Sequence, residues 1–127
     1  MAEDLSGLRV LVVEDDFFIA MDIKEAIERL GGHVVGPIGR LEQAQDLARR
    51  EVFDAAILDV KLDGDVTFPL AEELLTRGVP IALATGYDVA SLPENFQGVP
   101  HLRKPFRDTD VRRLVGMFSG SLNRSRY

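Results

Sequence analysis

The sequence predicts a single α/β domain in which a parallel five-stranded sheet is covered by helices on both faces. Short apolar runs alternate along the chain with segments whose apolar residues recur at helical spacing, which gives five strand–helix units without a sequence repeat. Such alternation is typical of parallel sheets, because each crossover helix packs back onto the sheet. The chain has 127 residues and 46% of them are hydrophobic, which suits one domain with one core.

The strands are predicted from runs of successive apolar residues, which are typical of strands buried on both faces. They span residues 9–13, 33–36, 55–58, 80–84 and 99–102. Two helices with apolar stripes separate the first three strands, and the first of them ends at Gly31. The stripe residues are Ala20, Ile23, Ile27 and Leu30 in the first helix and Leu41, Ala44, Leu47 and Ala48 in the second.

The later crossovers are less regular. A third helix has Pro69 near its first turn and ends at Gly78. Residues 89–98 are poorly helical because Pro93 interrupts them, so we expect a shortened or irregular fourth helix. The final helix has Asp108 as its expected N-cap. Its apolar stripe consists of Val111, Leu114, Val115 and Phe118.

Composition and charge argue against several classes of protein. The net charge of −6 disfavours a nucleic-acid surface, since phosphate contacts need clustered Lys and Arg side chains. No apolar run approaches the ~20 residues needed to cross a bilayer, and the acidic N-terminus is unlike a secretion signal. The absence of cysteine suits a reducing compartment. We expect a cytoplasmic protein with an extension at 1–7, one domain at 8–118 and a polar tail at 119–127.

Acidic residues follow two of the predicted strands. Glu14, Asp15 and Asp16 come after the first strand, and Asp59 ends the third. Ligands of open α/β sheets bind beyond the carboxyl ends of the strands, so a strand order of 2-1-3-4-5 would bring these carboxylates together. Two unit charges ~4 Å apart repel by ~4 kcal/mol at an effective dielectric constant of ~20, and a divalent cation would relieve this repulsion. Oxygen ligands favour Mg²⁺ or Mn²⁺ over zinc.

Each of these patterns also has a simpler explanation. The acidic run could stabilise the N-terminus of the next helix without a metal. Thr85 ends the fourth strand, where its hydroxyl could donate to a phosphoryl oxygen or serve ordinary strand-end hydrogen bonding. Lys104 follows the fifth strand. If its ammonium group is buried near the acids, it needs a carboxylate or phosphate partner. The simpler explanation is a lysine that faces solvent and needs no partner. The occurrence of all these groups at one sheet edge favours a functional site.

Four short segments, in their order and spacing, resemble the response-regulator receiver family over residues 8–118. They are 10–16 (VLVVEDD), 56–60 (AILDV), 84–86 (ATG) and 102–106 (LRKPF). The resemblance implies a flavodoxin-like fold, a doubly wound parallel sheet of five βα units with strand order 2-1-3-4-5. It implies that Asp59 is the phosphoacceptor, that Thr85 is the switch hydroxyl and that Lys104 is the cation paired with the phosphoryl group. It also implies that Mg²⁺ or Mn²⁺ is bound by Glu14, Asp15, Asp59 and the backbone carbonyl of Lys61.

The chain departs from common receivers at positions concerned with switching. His101 stands where many receivers carry an aromatic residue. Residues 80–87 resemble the FAT GUY subgroup of receivers, although Leu83 stands where that motif has Phe. In this subgroup the region of the fourth helix is reduced. The switch candidates are therefore Thr85, Tyr87 and His101. Tyr87 is the candidate replacement for the missing aromatic, with a half-buried loop tyrosine as the alternative.

The resemblance implies a single-domain response regulator that accepts a phosphoryl group from a sensor histidine kinase or a histidine phosphotransfer protein. It would promote only its own phosphorylation and slow dephosphorylation, so no enzyme is expected. The signal would pass to a downstream protein through the surface of the fourth strand, the fifth strand and the last helix, including Tyr87, His101 and Arg112. We expect a monomer or weak dimer. The alternatives are a phosphorylation-independent pseudo-receiver and a small Mg²⁺-dependent phosphohydrolase.

Overall fold

The computed structural model describes residues 6–62, 64–86 and 89–125, with side chains described as far as residue 118 except at position 89. Strands and helices alternate through this part of the chain. They are β1 (Arg9–Val13), α1 (Phe17–Arg29), β2 (His33–Ile38), α2 (Leu41–Arg50), β3 (Ala55–Asp59), β4 (Lys61–Leu62), β5 (Asp65–Val66), α3 (Phe68–Thr76), β6 (Ile81–Thr85), β7 (His101–Arg103) and α4 (Asp108–Ser125). None of the described helices is both long enough and apolar enough to cross a membrane.

Five parallel strands form the central sheet in the order β2-β1-β3-β6-β7. Counted without the two-residue strands β4 and β5, this is the order 2-1-3-4-5, so the predicted doubly wound, flavodoxin-like fold is confirmed. The register pairs Val13 of β1 with Leu58 of β3, and Asp59 with Ala84 of β6. Because the strands are parallel, their carboxyl ends lie at one edge of the sheet.

Both faces of the sheet are buried, as the unbroken apolar strands predict. One face packs against α1 and α4, and the other against α2 and α3. The core of the first face includes Val10, Val12, Ile23, Ile27, Leu114, Val115 and Phe118. The core of the second face includes Leu11, Val13, Ala44, Ala48, Leu70 and Leu74. Close packing on both sides makes β1 and β3 a rigid support for the residues at their ends.

A small β-hairpin lies between β3 and α3, and the sequence pattern does not predict it. Its strands, β4 and β5, pair antiparallel and enclose Gly64, whose φ of 92° is a left-handed conformation that glycine adopts without strain. Each strand has only two residues, too few for a period-two pattern to be recognised. Pro69 then lies in the first turn of α3, as expected.

The connection from β6 to β7 contains no α-helix in its described residues. It forms two short 3₁₀ turns, at Val89–Ser91 and Glu94–Phe96. The expectation of a shortened or irregular fourth helix is therefore confirmed. Leu92 and Phe96 are buried on the sheet face that α2 and α3 also cover. These two side chains take the place of the apolar stripe that a regular helix would supply.

The last helix begins differently from our expectation. Asp108 lies inside α4, and Arg107 precedes the helix. The amide of Arg107 donates to Asp110 Oδ2 at 2.8 Å, and its carbonyl accepts from the Asp110 amide at 3.0 Å. Asp110 thus supplies half of a capping box, and the Asp108 carboxylate pairs instead with Arg29 at 3.0 Å. The prediction of Asp108 as N-cap was wrong, because the helix begins one residue earlier than expected and Asp110 caps the Arg107 amide.

The last helix also extends further than expected. Its backbone stays helical as far as Ser125, beyond residue 118, after which the sequence pattern predicts a polar tail. Once a helix is nucleated, each further residue adds a backbone hydrogen bond, so the helix can continue past the end of its apolar stripe. The change to polar residues therefore marks the end of the apolar pattern and not the end of the helix.

Candidate functional site

Three carboxylates meet at the carboxyl edge of the sheet. Glu14 and Asp15 follow β1, and Asp59 ends the neighbouring strand β3. One carboxylate oxygen from each residue lies within 4.8 Å of the other two. Glu14 is 3% exposed and Asp59 is 7% exposed, whereas Asp15 is exposed. The cluster therefore has a buried floor and one carboxylate that reaches solvent.

Lys104 places its ammonium group between the two buried carboxylates. Its Nζ atom lies 2.8 Å from Glu14 Oε1 and 3.2 Å from Asp59 Oδ2. The residue follows β7 and precedes Pro105 through a cis peptide bond, and its backbone amide donates to the Thr85 carbonyl at 2.9 Å. Only 21% of its side chain is exposed, so it is not the solvent-facing lysine of the simpler explanation.

The pocket holds more negative than positive charge. Burial raises the pKa of Glu14 to about 7, against the lowering effect of the hydrogen bond from Lys104, and the nearby Asp59 raises it further. Burial alone would lower the pKa of Lys104, but the hydrogen bond to Glu14 and the attraction of both carboxylates outweigh it, so this pKa is raised. One ammonium group thus serves two buried carboxylates.

The residues present fit a divalent cation. The observation that tests this fit is geometric: two buried carboxylates and one exposed carboxylate converge within 4.8 Å, and the Lys104 ammonium group that pairs with Glu14 and Asp59 carries one positive charge. All three acidic side chains supply carboxylate oxygens, the ligands that Mg²⁺ and Mn²⁺ prefer. The amide of Lys61, the residue whose carbonyl is the expected backbone ligand, lies 3.4 Å from Asp59 Oδ1. The start of the hairpin therefore borders the cluster.

Asp16, the third residue of the acidic run, caps a helix. Its Oδ1 atom accepts from the amides of Phe18 at 3.0 Å and Ile19 at 3.1 Å, which makes Asp16 the N-cap of α1. Its own amide donates to Glu14 Oε2 at 3.1 Å and so helps to hold that carboxylate. The helix-capping explanation of the acidic run therefore applies to Asp16.

Two buried threonines lie at the same edge of the sheet. Thr85 ends β6 directly after Ala84, the residue that pairs with Asp59, and it is 2% exposed. Thr67, which sequence reasoning missed, is 0% exposed, and its hydroxyl donates to the backbone carbonyl of Asp59 at 2.7 Å. A threonine just before Phe68 fits an ordinary helix N-cap, so the local sequence carries no signal for this long-range contact.

The structure does not bring all of the predicted switch residues together. His101 and Thr85 lie at different heights in the sheet, since His101 pairs with Leu83 whereas Thr85 pairs with Arg103. The Nε2 atom of His101 is buried without a hydrogen-bond partner among the described residues, and burial lowers the pKa of its imidazole. Tyr87 lies outside the described residues. Its part in switching stays a prediction.

The fold and this cluster together define a class of protein. A doubly wound parallel sheet carries an acidic group, a lysine and a threonine at its carboxyl edge, at the positions that the receiver-like motifs indicate. This arrangement is that of a signalling receiver domain.

Known proteins agree with this class. The solution structure of SdrG from Sphingomonas melonis Fr1 is 34% identical, covers 88% of this chain and 96% of its own, and has a TM-score of 0.78. The crystal structure of the response regulator PhyR from Brucella abortus is 25% identical, covers 98% of this chain and 52% of its own, and has a TM-score of 0.84. The transcriptional regulatory protein PdtaR of Mycobacterium tuberculosis is 31% identical over 107 residues, 81% of this chain and 52% of PdtaR. No family model matches the chain.

The chain belongs to the response-regulator receiver family of two-component signalling, as the receiver-like motifs predict. It spans about half the length of the curated relatives it matches. These relatives are named as regulators: two are transcriptional regulatory proteins and one is a phyllosphere-induced regulator.

Proposed function

We propose that this response regulator accepts a phosphoryl group on the carboxylate of Asp59 from a sensor histidine kinase or a histidine phosphotransfer protein. The observation that carries the proposal is the charge arrangement around this residue. The buried Asp59 carboxylate lies 3.2 Å from the Lys104 ammonium group and within 4.8 Å of oxygens from two further acids. A transferred phosphoryl group brings new anionic oxygens, and this ammonium group is placed to pair with them.

Asp59 is the nucleophile of the proposed reaction. A carboxylate oxygen attacks the phosphorus of a phosphohistidine, an O–P bond forms, the N–P bond breaks, and the imidazole leaves as a neutral ring after taking up a proton. The backbone holds Asp59 in place, since Thr67 donates to its carbonyl and the next amide, of Val60, donates to Ala84 at 3.0 Å. Phosphoryl transfer depends on positioning and charge stabilisation more than on covalent machinery, so a rigidly held carboxylate suits it.

Lys104 and Thr85 stabilise the transferred group. The Lys104 ammonium group turns from Glu14 to a phosphoryl oxygen, and the Thr85 hydroxyl donates to another. The residues that would hold Mg²⁺ or Mn²⁺ are Glu14, Asp15, Asp59 and, through its backbone carbonyl, Lys61. When bound, the ion supplies positive charge that neutralises the transferred group.

The signal is a redistribution of charge at one end of the sheet. Phosphorylation adds nearly two negative charges at neutral pH, and Lys104 and Thr85 respond from adjoining strands. Their movement shifts the population between two arrangements of the surface formed by β6, β7 and α4. That surface contains a cavity of about 510 Å³ lined in part by His101 and Met117, and Arg112 is exposed on α4. We assign this surface to a downstream protein partner.

A solved relative supports the proposal that this chain is activated at its acceptor site. SdrG from Pseudomonas melonis Fr1, 35% identical over 87% of this chain, has been solved in a BeF₃-activated conformation. We infer that BeF₃ activates this chain in the same way. In this proposal the protein acts in the cytoplasm as a monomer or weak dimer, without a nucleic acid or a membrane as partner.

Intact mass spectrometry after incubation with phosphoramidate tests the proposal. Wild type, Asp59→Asn and the control Asp65→Asn, which changes an exposed aspartate of the neighbouring hairpin, are each compared in Mg²⁺ and in chelator. We expect one added phosphoryl group in wild type and in the control, only with Mg²⁺, and none in Asp59→Asn. The adduct should be cleaved by hydroxylamine, as an acyl phosphate is.

Other outcomes identify other functions. A hydroxylamine-sensitive adduct that persists in Asp59→Asn would place the acceptor elsewhere. No adduct from phosphoramidate or from a phosphorylated histidine phosphotransfer protein, with Mg²⁺ binding intact, would indicate a pseudo-receiver. Continuous release of phosphate from a phosphomonoester would indicate a hydrolase.

A further inference from the structure

Thr67 connects the backbone of Asp59 to the beginning of α3. It is 0% exposed, and its Oγ1 atom donates to the Asp59 carbonyl at 2.7 Å. The same hydroxyl lies 3.4 Å from the carbonyl oxygen of Val60, and the backbone amide of Thr67 donates to that oxygen at 2.9 Å. One residue thus contacts two consecutive carbonyls, those of Asp59 and Val60.

The hydroxyl of Thr67 is not used for helix capping. Thr67 occupies the N-cap position of α3, where a threonine side chain ordinarily accepts a hydrogen bond from a helix amide. Its side chain makes no such bond here and donates to Asp59 instead. A buried carbonyl without a donor is costly, and β3 ends at Asp59, so the hydroxyl satisfies a group at the point where the strand stops.

The contacts of Thr67 fix the peptide units on the C-terminal side of the acceptor. The Val60 amide is held by the Ala84 carbonyl at 3.0 Å, and the Val60 carbonyl by the Thr67 amide. These bonds set the orientation of the next amide, of Lys61, which lies 3.4 Å from Asp59 Oδ1. The hydroxyl bond to the Asp59 carbonyl adds to these backbone bonds, so the position of the acceptor carboxylate and the direction of the expected metal-binding carbonyl depend in part on that hydroxyl.

We propose that Thr67 is a positioning residue that orients the backbone from Asp59 to Lys61 for phosphoryl transfer and for cation binding. The inference rests on the proposed function of Asp59. Thr67 itself touches neither the phosphoryl group nor the ion. A misplacement of reacting groups by ~1 Å can lower a rate by ~10²-fold, so loss of the hydroxyl should slow the reaction while the fold persists.

Three variants separate the hydroxyl from the packing of the side chain. Thr67→Val removes the donor and keeps the shape, and Thr67→Ser keeps the donor. Thr76→Val is the matched control, since Thr76 Oγ1 also donates to a backbone carbonyl, that of Glu72 at 2.9 Å, but on the exposed surface of α3. For each variant, calorimetry measures the Mg²⁺ dissociation constant, and intact mass measures the initial rate of phosphorylation at saturating Mg²⁺.

We expect Thr67→Val to lower the rate by roughly 10-fold or more and to weaken Mg²⁺ binding several-fold. Thr67→Ser should restore both quantities most of the way to wild type, and Thr76→Val should change neither. A folded Thr67→Val protein with the rate and Mg²⁺ affinity of wild type would overturn the proposal. An equal loss in Thr67→Ser and Thr67→Val would also overturn it, because packing and not the donor would then be responsible.

Two further arms keep the test decisive. If Thr67→Val does not fold, Thr67→Cys replaces it, since a thiol is a weaker donor than a hydroxyl. The phosphorylation rate of Thr67→Cys must then fall below that of Thr67→Ser. Equal rates in these two variants would contradict the proposal. If the wild type itself takes no adduct, the proposed function fails, and the Mg²⁺ titration alone decides the role of Thr67. Equal Mg²⁺ affinities in folded Thr67→Val and Thr67→Ser would then reject it.

Discussion

Two crossovers leave the sheet from strands that carry site residues, and they are held in different ways. The crossover from β3 to β6 starts at Asp59 and is fixed by the hairpin, by the hydrogen bonds of Thr67 and by α3. The crossover from β6 to β7 starts at Thr85, and in its described residues burial of Leu92 and Phe96 holds it to the sheet. Segments held by few hydrogen bonds and few apolar contacts open locally at the lowest cost. We therefore expect phosphorylation to move the second crossover more than the first.

An aromatic pair joins the two crossovers. The rings of Phe68, at the start of α3, and Phe96, in the second crossover, are stacked with their centroids 5.0 Å apart and their planes at 15°. Phe96 is 2% exposed, whereas Phe68 is half-buried. The stack therefore places a rigid element against a weakly held one.

The largest effect on stability is expected at Phe96. Phe96→Ala should lower the free energy of unfolding by about 3–5 kcal/mol, because a buried ring is lost from the side chains that anchor the second crossover. Phe68→Ala should cost roughly half as much, because this ring is already partly solvated and hydrogen bonds also hold the first crossover. Urea denaturation followed by circular dichroism measures both changes. A loss in Phe68→Ala equal to that in Phe96→Ala would contradict the proposed difference between the crossovers.

The next effect concerns the pocket from which both crossovers begin. Burial raises the pKa of Glu14 from 4.5 to about 7, so between these values the folded protein holds a proton that the unfolded chain has lost. The stability of the metal-free protein should therefore fall as pH rises through this window. Glu14→Gln removes the titration and should be more stable than wild type at about pH 8, by something on the order of 2 kcal/mol.

Thermal unfolding in chelator measures this difference. It should vanish near about pH 3, where Glu14 is protonated in both folded and unfolded wild type. Excess Mg²⁺ at about pH 8 should reverse the order of the two proteins, since the wild type keeps all three carboxylates. A stability difference that does not change with pH would contradict the raised pKa of Glu14.

A smaller effect is expected for the contact between the two crossovers. A double-mutant cycle of Phe68→Ala and Phe96→Ala should give a coupling of about 0.5–1.5 kcal/mol, the range of stacked aromatic pairs. The same urea experiments supply all four stabilities. Additive losses would show that the crossovers are energetically independent in spite of the stack.

The smallest effect is expected outside both crossovers. Arg29 of α1 and Asp108 of α4 lie 3.0 Å apart, with 60% and 42% of their side chains exposed. Asp108→Asn should lower the unfolding free energy by less than about 1 kcal/mol, because solvent screens exposed ion pairs. The change should shrink further in ~1 M salt. A salt-independent loss above that size would mean that Asp108 has another structural role.

Residues with strong local patterns could be predicted from the sequence. The apolar strands are clear because both of their faces are buried, and parallel strands bring their carboxyl ends to one edge. The meeting of Glu14, Asp15 and Asp59 therefore followed from the predicted strand order. The irregular second crossover was visible because Pro93 interrupts the helical pattern.

The remaining features depend on contacts that local sequence does not encode. The hairpin strands have two residues each, which is too short for a recognisable period. Thr67 fits an N-cap, and only the folded chain shows that its hydroxyl donates to Asp59. Asp108 fits a local N-cap pattern, but the helix begins one residue earlier, and the structure pairs the Asp108 carboxylate with Arg29 of another helix.

Backbone amide shifts on addition of BeF₃ and Mg²⁺ test the central claim most directly, that charge placed on Asp59 moves the second crossover. The experiment uses ¹⁵N-labelled wild type and Asp59→Asn. We predict large shifts at Glu14, Asp59, Thr85 and Lys104, larger shifts across residues 89–98 than across 68–76, and none of these in Asp59→Asn. Shifts that persist in Asp59→Asn, or that leave residues 89–98 unchanged while the site residues respond, would contradict it.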